Sequence, residues 1–300
     1  MITGKTKTVG ILGYPVGHSL SPLMHNAAFA ALELDYIYVP LPVAPDQLGQ
    51  AVAGLKAMGF VGANVTIPHK VTIIPYLDEL DRSAELVGAV NTIVIRKGRC
   101  IGYNTDSQGF IQSLTTKNIR ITGRKVVIMG AGGAARAVVC GLLEQGIDQI
   151  IIGTRSNLKA QEFVKLFPGG RNIQGCDWQE ELFTEAITQC DILINCTPIG
   201  MSSSHEVELP ISWQNVQSNA IICDLIYNPP LTNFLTEAQN HGHIVINGAG
   251  MLVEQGALAF ELWTGQIAPR SIMLKNLENF ITNCMELDKD NIIVSRKTLK

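Results

Sequence analysis

Lys70 is a residue whose type and position suggest chemistry. It ends the stretch NVTIPHK, in which Val65-Thr66-Ile67 predicts a short apolar strand. Pro68 cannot continue a strand ladder, so we expect Lys70 just past a strand end. Ligands of open α/β sheets bind at such ends. A single lysine after a strand is most often a solvated loop residue, so other parts of the sequence have to decide its role.

A second stretch, KVVIMGAGGAARA, contains a glycine loop between a predicted strand and a predicted helix. The loop is Gly130-Ala131-Gly132-Gly133-Ala134-Ala135, which has the pattern G-x-G-x-x-A. Gly130 permits a tight turn, Gly132 lets the backbone approach a pyrophosphate, and Ala135 lets the helix lie close to the strand. The helix N-terminus favours phosphate groups. The stretch therefore predicts a dinucleotide site.

The strand after this loop indicates which dinucleotide binds. NAD-binding proteins carry an acidic residue at its end, which accepts a hydrogen bond from the ribose 2′-hydroxyl. Here QIIIG is followed by Thr154, Arg155 and Ser156, with Lys159 close behind and no carboxylate. Cationic and hydroxyl donors suit a 2′-phosphate, so the sequence favours NADP. In the alternative interpretation, Arg155 only ends a strand.

A nicotinamide enzyme that reduces a ketone needs a proton donor beside the carbon that accepts the hydride. No tyrosine has a lysine four residues on, so the Y-x-x-x-K pattern of short-chain reductases is absent. The Cys/His cluster of a zinc dehydrogenase is also absent, and His241 and His243 are typical of a polar turn. We therefore predict no metal. Lys70 and Asp106, the latter in GYNTD, remain as candidates for the acid.

The elements that must position these residues form two α/β units. From residue 124 onwards, the strands KVVIM, QIIIG, DILIN, AIICDL and HIVIN alternate with helical patterns, which predicts a parallel sheet covered on both faces. Before it, TVGILGY and GANVTIP predict strands, and NTIVI-RKGR-CIGYN predicts a hairpin. Ser21 and Pro22 predict the N-cap and first position of a helix.

We predict an N-terminal domain over residues 1–106 and a Rossmann-type, doubly wound dinucleotide domain over 107–247. Two helical stretches remain, over 249–265 and 269–287. These helices could pack back on the first domain, and the local patterns do not decide this.

Composition excludes several classes of protein. Hydrophobic residues make up 46% of the 300 residues and charged residues 16%, which is typical of folded globular proteins. A formal net charge of −3 argues against a nucleic-acid or membrane-surface partner. Seven dispersed cysteines without a C-x-x-C pair indicate reduced thiols. Because the chain shows neither a signal-peptide core nor a run of about 20 apolar residues, we expect a cytoplasmic protein.

Eight sequence blocks in order resemble the shikimate dehydrogenase family over nearly the whole chain. They are GYPVGHSLSPLMHN (13–26), NVTIPHK (64–70), GAVNT (88–92), GYNTD (102–106), GAGGAARA (130–137), NCTPIGM (195–201), DLIYNP (224–229) and NGAGMLVEQGALAFELWTG (247–265). The resemblance implies reversible NADPH-dependent reduction of 3-dehydroshikimate to shikimate, on the pathway to chorismate and aromatic amino acids. It also implies a substrate-binding and catalytic first domain completed by residues 248–300, in a monomer or homodimer.

The resemblance further implies roles for single residues. Lys70 and Asp106 match the catalytic dyad, with Lys70 as general acid and base. The positions that match substrate contacts are Ser19, Ser21, Thr66, Lys70, Asn91, Asp106, Tyr227 and Gln255. The positions that match cofactor contacts are Gly130, Ala131, Gly132, Gly133, Ala134, Thr154, Arg155, Ser156, Lys159, Thr197, Leu225, Gly248 and Met251.

One departure from the family concerns the cofactor, and two alternative functions stay open. The family commonly has Asn-Arg-Thr/Ser where this chain has Thr154-Arg155-Ser156, which keeps the arginine and a hydroxyl. The first alternative is a quinate/shikimate dehydrogenase that uses NAD with the same dyad. The second is a non-catalytic sensor that retains the cofactor fold, and the joint presence of Lys70 and Asp106 argues against it.

Overall fold

In the part of the chain that the structure describes, two six-stranded sheets and their covering helices form the fold. A computed structural model describes residues 2–170, 172–201 and 208–297, with side chains as far as residue 283. The strands are β1 Lys7–Gly13, β2 Tyr36–Pro42, β3 Gly62–Val65, β4 Glu79–Leu80, β5 Thr92–Arg96, β6 Arg99–Tyr103, β7 Lys125–Met129, β8 Gln149–Thr154, β9 Ile173–Asp177, β10 Ile192–Asn195, β11 Ile221–Asp224 and β12 Ile244–Ile246.

The α-helices lie between and after these strands. They are α1 Ser21–Ala31, α2 Leu48–Ala57, α3 His69–Thr72, α4 Arg82–Val87, α5 Asp106–Thr115, α6 Gly133–Glu144, α7 Asn157–Val164, α8 Glu181–Gln189, α9 Asn233–Asn240, α10 Ala249–Thr264 and α11 Arg270–Lys297. Short 3₁₀ turns cover Pro45–Gln47, Ile74–Tyr76 and Trp213–Asn215. Within the described part of the chain, no helix is both long and apolar enough to cross a bilayer.

The first sheet is mixed and has the strand order β2-β1-β3-β5-β6-β4. Strand β1 pairs in parallel with β2 and β3, whereas β5 is antiparallel to both β3 and β6. The predicted hairpin over NTIVI and CIGYN is confirmed as β5 and β6. This sheet carries β3, whose end leads to Lys70.

The second sheet is parallel throughout and has the order β12-β11-β10-β7-β8-β9. The predicted parallel sheet is confirmed. From β7, the chain runs outwards first through β8 and β9 and then, on the other side, through β10, β11 and β12. The carboxyl ends of β7 and β10 therefore lie at the switch point of the sheet, which is where such folds bind ligands.

The C-terminal helices complete the core of the first sheet. Phe260 and Trp263 of α10 and Met273 of α11 are buried in one cluster with Phe29 of α1. The indole Nε1 of Trp263 donates to the Ile93 carbonyl at 2.9 Å. The two helices therefore pack on the first sheet, although the second sheet precedes them in sequence.

Helix α5 lies between the two units. A Cβ on Gly109 would stand 2.7 Å from Cβ of Gln255 on α10, and a Cβ on Gly141 of α6 would stand 3.0 Å from the Ser107 carbonyl oxygen. Glycines therefore let α5 approach a helix of each unit closely, and its first residue is Asp106.

Two predicted boundaries were wrong by a few residues. Leu20, not Ser21, is the N-cap of α1, and the Ser21 N–H donates to Ser19 Oγ at 3.3 Å, so the hydroxyl two residues earlier binds one N–H group of the first turn. Strand β3 ends at Val65, before Thr66 and Ile67. Beyond it only single bonds to the end of β1 remain, such as Thr66 N–H to the Leu12 carbonyl at 2.8 Å.

Candidate active site

Lys70 and Asp106 meet beside the end of the first sheet. Lys70 lies on the single turn α3, which follows β3, and Asp106 begins α5. The Lys70 Nζ to Asp106 Oδ2 distance is 2.5 Å, and the two side chains are 20% and 7% exposed. The pair is thus largely enclosed, with the ammonium on the more open side. A solvated loop lysine would not have such a partner.

Asn91 fixes the other oxygen of this carboxylate. Its Nδ2 donates to Asp106 Oδ1 at 2.9 Å and to Gln255 Oε1 at 3.3 Å. Its Oδ1 accepts from the Thr105 N–H at 2.8 Å, so the amide orientation is set by the backbone. Four residues predicted to form the site therefore share one hydrogen-bond network that joins α3, α5 and α10.

A serine turn lies at the start of α1. Ser19 Oγ accepts from the Ser21 N–H, and Ser21 is buried. Tyr227, from the loop after β11, hydrogen-bonds to the backbone of Leu20 in this turn. Burial raises the pKa of Tyr227 above its usual value, and the hydrogen bond opposes the shift. The structure thus brings Tyr227 to the two serines although about 200 residues separate them.

Thr66 lies where the ends of β1 and β3 meet. Its methyl is close to Gly13, where an added Cβ would stand 2.5 Å from Thr66 Cγ2. The glycine in β1 thus makes room for this threonine, which directly follows β3.

A cavity of about 640 Å³ opens at the switch point of the second sheet. Eight of the predicted cofactor residues line it, namely Gly130, Ala131, Gly132, Thr154, Arg155, Ser156, Lys159 and Thr197. Gly130 has φ +104°, and a Cβ there would stand 3.0 Å from Thr197 Cγ2. A Cβ on Gly132 would meet nothing within 4 Å. The loop therefore leaves an open cradle at the N-terminus of α6 that fits a pyrophosphate.

The polar residues after β8 have different roles in the structure. The Thr154 hydroxyl donates to the Ser156 carbonyl at 2.7 Å and accepts from the Ser156 N–H at 3.1 Å, so it shapes the turn itself. Arg155 and Lys159 are exposed cations in the wall of the cavity. The arrangement fits an adenosine ribose that carries a phosphate.

The remaining predicted cofactor residues lie outside the cavity wall. Gly133 and Ala134 form the first turn of α6. Gly248 packs on the loop after β11, because a Cβ there would stand 2.0 Å from the Leu225 carbonyl oxygen. Leu225 and Met251 are half-buried against the same apolar cluster as Ala131.

Several residues of this region were not predicted from the sequence. Arg136, Glu162 and Trp178 also line the cavity, and Asn195 and Asp224 lie buried at the ends of β10 and β11. Arg136, Asn195 and Asp224 lie within the sequence blocks that resemble the family. A search for polar residues at predicted strand ends would have found Asn195 and Asp224. Among the residues described, no group of His, Cys, Asp or Glu has the arrangement of a metal site.

Comparison with known proteins identifies the family. A profile described as shikimate dehydrogenase substrate binding domain matches residues 11–93, one described as shikimate/quinate 5-dehydrogenase matches 113–226, and a shikimate 5′-dehydrogenase C-terminal domain profile matches 248–278. A shikimate dehydrogenase (NADP(+)) of Carboxydothermus hydrogenoformans is 47% identical over 277 residues, which cover 91% of this chain and 97% of the relative. The chain belongs to the shikimate dehydrogenase family.

Solved structures of the family have the same architecture. A shikimate dehydrogenase crystallised with NADP⁺ superposes with a TM-score of 0.87 at 42% identity and covers 94% of this chain and 98% of its own. A shikimate 5-dehydrogenase from Listeria monocytogenes, in complex with shikimate and NAD, gives a TM-score of 0.86 at 37% identity and covers 92% and 98%. The two-domain α/β fold is thus that of the family.

Proposed function

We propose that the protein catalyses the reversible NADPH-dependent reduction of 3-dehydroshikimate to shikimate. The observation that carries the proposal is the contact between Lys70 and Asp106, 2.5 Å between Nζ and Oδ2, in a family of shikimate dehydrogenases. The product leads to chorismate and the aromatic amino acids.

Lys70 is the proton donor in this proposal. The bound reduced nicotinamide supplies the hydride. As the ketone carbon is reduced, the Lys70 ammonium protonates the developing alkoxide oxygen, and in the reverse direction the amine removes the hydroxyl proton. Asp106 holds the ammonium in place through its Oδ2. A positioned acid of this kind contributes about 10²–10⁴ to the rate.

Neutral and hydroxyl groups bind the rest of the substrate. Asn91 and Gln255 offer amide donors and acceptors beside the dyad, which suit ring hydroxyls, and Thr66 and Tyr227 add hydroxyls. Ser19 and Ser21, at the entrance to α1, suit the substrate carboxylate because their hydroxyls lie at the N-terminus of this helix.

NADP is the cofactor. Gly130 to Ala134 hold the pyrophosphate at the N-terminus of α6, and Arg155, Ser156 and Lys159 bind the 2′-phosphate. Thr197, Leu225, Gly248 and Met251 contribute to the nicotinamide side. The support is the cavity that these loops form and the NADP⁺ complex of a relative with the same fold.

A second candidate is a quinate/shikimate dehydrogenase that uses NAD. It is favoured by the Listeria monocytogenes relative, whose structure contains shikimate and NAD, and by the departure at Thr154. Initial rates with shikimate and with quinate, each with NAD⁺ and NADP⁺, separate the two candidates. We expect the highest kcat/KM for shikimate with NADP⁺.

Shikimate-dependent NADPH formation, followed by absorbance, tests the proposal. We expect turnover by the wild type and a loss of about 10²–10⁴ in kcat for Lys70→Ala, with NADP⁺ affinity nearly unchanged. Lys56→Ala is the matched control, because Lys56 forms a lysine–aspartate pair with Asp78 at 3.0 Å on the surface of the same unit. Full turnover by Lys70→Ala would refute the dyad. No turnover by the wild type would favour the sensor.

Three further predictions accompany this function. They are a division into units at residues 106/107 and 247/248, a cytoplasmic location and a monomeric or homodimeric state. Analytical ultracentrifugation of the purified protein measures the last of them.

A further inference from the structure

Two buried polar residues connect the ends of neighbouring strands beneath the candidate site. Asn195 ends β10 and Asp224 ends β11, and both side chains are almost completely inaccessible to solvent. Asn195 Nδ2 donates to Asp224 Oδ1 at 3.1 Å. A buried carboxylate has to be stabilised by donors, and besides Asn195 the donors to Asp224 among the described residues are Ile226 and Thr232, at the two ends of the segment that follows β11.

Asn195 organises the loop that follows β10. Its Oδ1 accepts from the Thr197 N–H at 2.9 Å and from Thr197 Oγ1 at 2.7 Å. Its Nδ2 donates to the Ile199 carbonyl at 3.1 Å. Because Oδ1 is occupied by two donors, the amide cannot be reversed without losing these bonds.

Asp224 organises the loop that follows β11. Its Oδ1 accepts from the Ile226 N–H at 3.0 Å, and its Oδ2 accepts from Thr232 Oγ1 at 2.7 Å. Thr232 is the N-cap of α9, where its Oγ1 accepts from the Leu235 N–H at 3.3 Å. The carboxylate therefore holds both ends of the segment 226–232, which contains Tyr227.

The two loops also touch each other and the start of α10. A Cβ on Gly200 would stand 3.2 Å from Cβ of Thr232, so the loops are in close contact. The Ile226 carbonyl accepts from the Gly248 N–H at 2.9 Å, and the Pro230 carbonyl accepts from Asn247 Nδ2 at 2.9 Å. A shift of one loop is therefore passed to the other and to α10.

We infer that Asn195 and Asp224 are positioning residues, and that their buried hydrogen bond sets the cofactor contact Thr197 and the substrate contact Tyr227 in one fixed arrangement. The part that concerns Tyr227 rests on the proposed function. The part that concerns Thr197 requires only that the cofactor binds in the cavity which Thr197 lines.

Asp224→Asn tests the inference without a change of shape. The carboxamide oxygen can take the place of Oδ1 and accept from Asn195 Nδ2 and the Ile226 N–H, but an NH₂ group then faces Thr232 Oγ1 where Oδ2 accepts in the wild type. The hydroxyl of the buried Thr232 loses its acceptor, so the loops shift. We expect the Kd for NADPH and the KM for shikimate each to rise about tenfold or more, since such an unpaired group costs about that factor in an equilibrium. NADPH fluorescence titration and initial rates measure the two constants.

Two further sets of variants separate positioning from stability. Thr232→Val removes one donor to Asp224 and should reproduce part of the effect, whereas Thr232→Ser keeps the hydroxyl and should restore both constants. Asp191→Asn is the matched control. Asp191 Oδ2 accepts from the Lys125 N–H at 2.8 Å at the amino ends of the central strands β10 and β7, opposite the site, so this variant should lower the melting temperature and leave both constants unchanged.

The outcomes are distinct. The inference is overturned if Asp224→Asn melts at a lower temperature but keeps wild-type constants for NADPH and shikimate. If Asp224→Asn does not fold, equal constants for Thr232→Val and Thr232→Ser overturn it. If the wild type does not oxidise shikimate, the proposed function fails, and NADPH titration of the same variants still decides the role of the buried pair.

Discussion

At the scale of residues, two lysine–aspartate pairs of the first unit carry the same charges but differ in their burial and in the residues around them. Lys56 and Asp78 are 3.0 Å apart with side chains 34% and 36% exposed, and such a surface pair contributes little. Lys70 and Asp106 are 20% and 7% exposed, and Asn91 holds the second carboxylate oxygen. The enclosed pair has a fixed geometry, which the proposed proton transfer needs.

The identities of these residues were predictable, and their contacts were not. Lys70 was indicated by the proline that follows a predicted strand, and Asp106 by the sequence block GYNTD. The 2.5 Å contact depends on where α3 and α5 lie relative to each other, which is decided by packing over 36 residues of sequence. Similarly, nothing local indicated that the Thr154 hydroxyl is bound within its own turn.

Arg155→Ala tests the cofactor preference. We expect the KM for NADPH to rise about tenfold or more, because the variant loses a charge-assisted bond to the 2′-phosphate. The KM for shikimate should change little, because Arg155 is not among the proposed substrate contacts. The effect should weaken at high salt, since Arg155 is exposed. Steady-state kinetics at two salt concentrations measure it.

Arg99→Ala is the control for this variant. Arg99 forms an exposed pair with Glu79 at 3.2 Å, away from the cavity wall. Its removal should leave both KM values unchanged. Equal increases in both KM values for Arg155→Ala would mean that this arginine supports the structure and does not select the phosphate.

At the scale of elements, the strands that were missed, β2, β4 and β9, all lie at sheet edges. Strand β2 contains Pro40 and Pro42, which interrupt the pattern of a strand and are tolerated at a sheet edge. Strand β9, with the sequence IQGCD, is also an edge strand and contains few apolar residues. The central strands of the second sheet were predicted correctly because both of their faces are buried.

Two glycines at the ends of elements should respond differently to alanine. Gly132 has open space around its Cβ position, so Gly132→Ala should leave the melting temperature nearly unchanged and weaken NADPH binding about tenfold, because the methyl blocks the pyrophosphate. Gly248→Ala would bring Cβ to 2.0 Å from the Leu225 carbonyl oxygen. It should lower the free energy of unfolding by about 1–3 kcal/mol.

Thermal unfolding and NADPH titration distinguish the two variants. Wild-type NADPH affinity in Gly132→Ala would mean that the phosphates do not approach this part of the loop. An unchanged melting temperature in Gly248→Ala would show that the loop after β11 can move away from α10 without cost.

At the scale of the whole molecule, His25 lies where the first sheet meets the C-terminal helices. It stacks on Tyr38 at 4.5 Å between ring centroids and contacts Trp263 at 5.4 Å. Neither ring nitrogen has a hydrogen-bond partner among the described residues, and burial lowers the pKa of His25 to about 3. The imidazole is therefore neutral in the folded protein at all ordinary pH values.

This burial makes stability depend on pH. Below the ordinary value of 6.5 the unfolded chain binds a proton that folded His25 does not, so the free energy of unfolding falls as pH decreases from about 6.5 towards 3. Asp224 acts in the opposite direction, because burial raises its pKa to about 6 and its carboxyl binds a proton on folding between about pH 6 and 3.8. The two effects oppose each other in that range.

His25→Leu isolates the histidine contribution. Between pH 7.5 and 4.5 we expect the wild type to lose about 2–3 kcal/mol more than this variant, at about 1.4 kcal/mol per pH unit below 6.5. The contribution of Asp224 cancels in the difference. Urea unfolding at both pH values measures it, and the exposed His241→Leu serves as control. Equal losses in wild type and His25→Leu would show that the imidazole is protonated in the folded protein.

The order in which the ribosome makes the chain has a consequence for the cluster around Phe29. That cluster unites residues 9–94 with residues 249–281, whereas the strands of the second sheet all lie between residues 125 and 246. Translation proceeds at about 5–20 residues per second, so the apolar side chains of α1 and β1 stay uncovered for tens of seconds or less until residues 249–281 are made. The second sheet can fold during this interval. The half that is synthesised first is thus the half that finishes folding last, and during this interval its apolar side chains are exposed to aggregation.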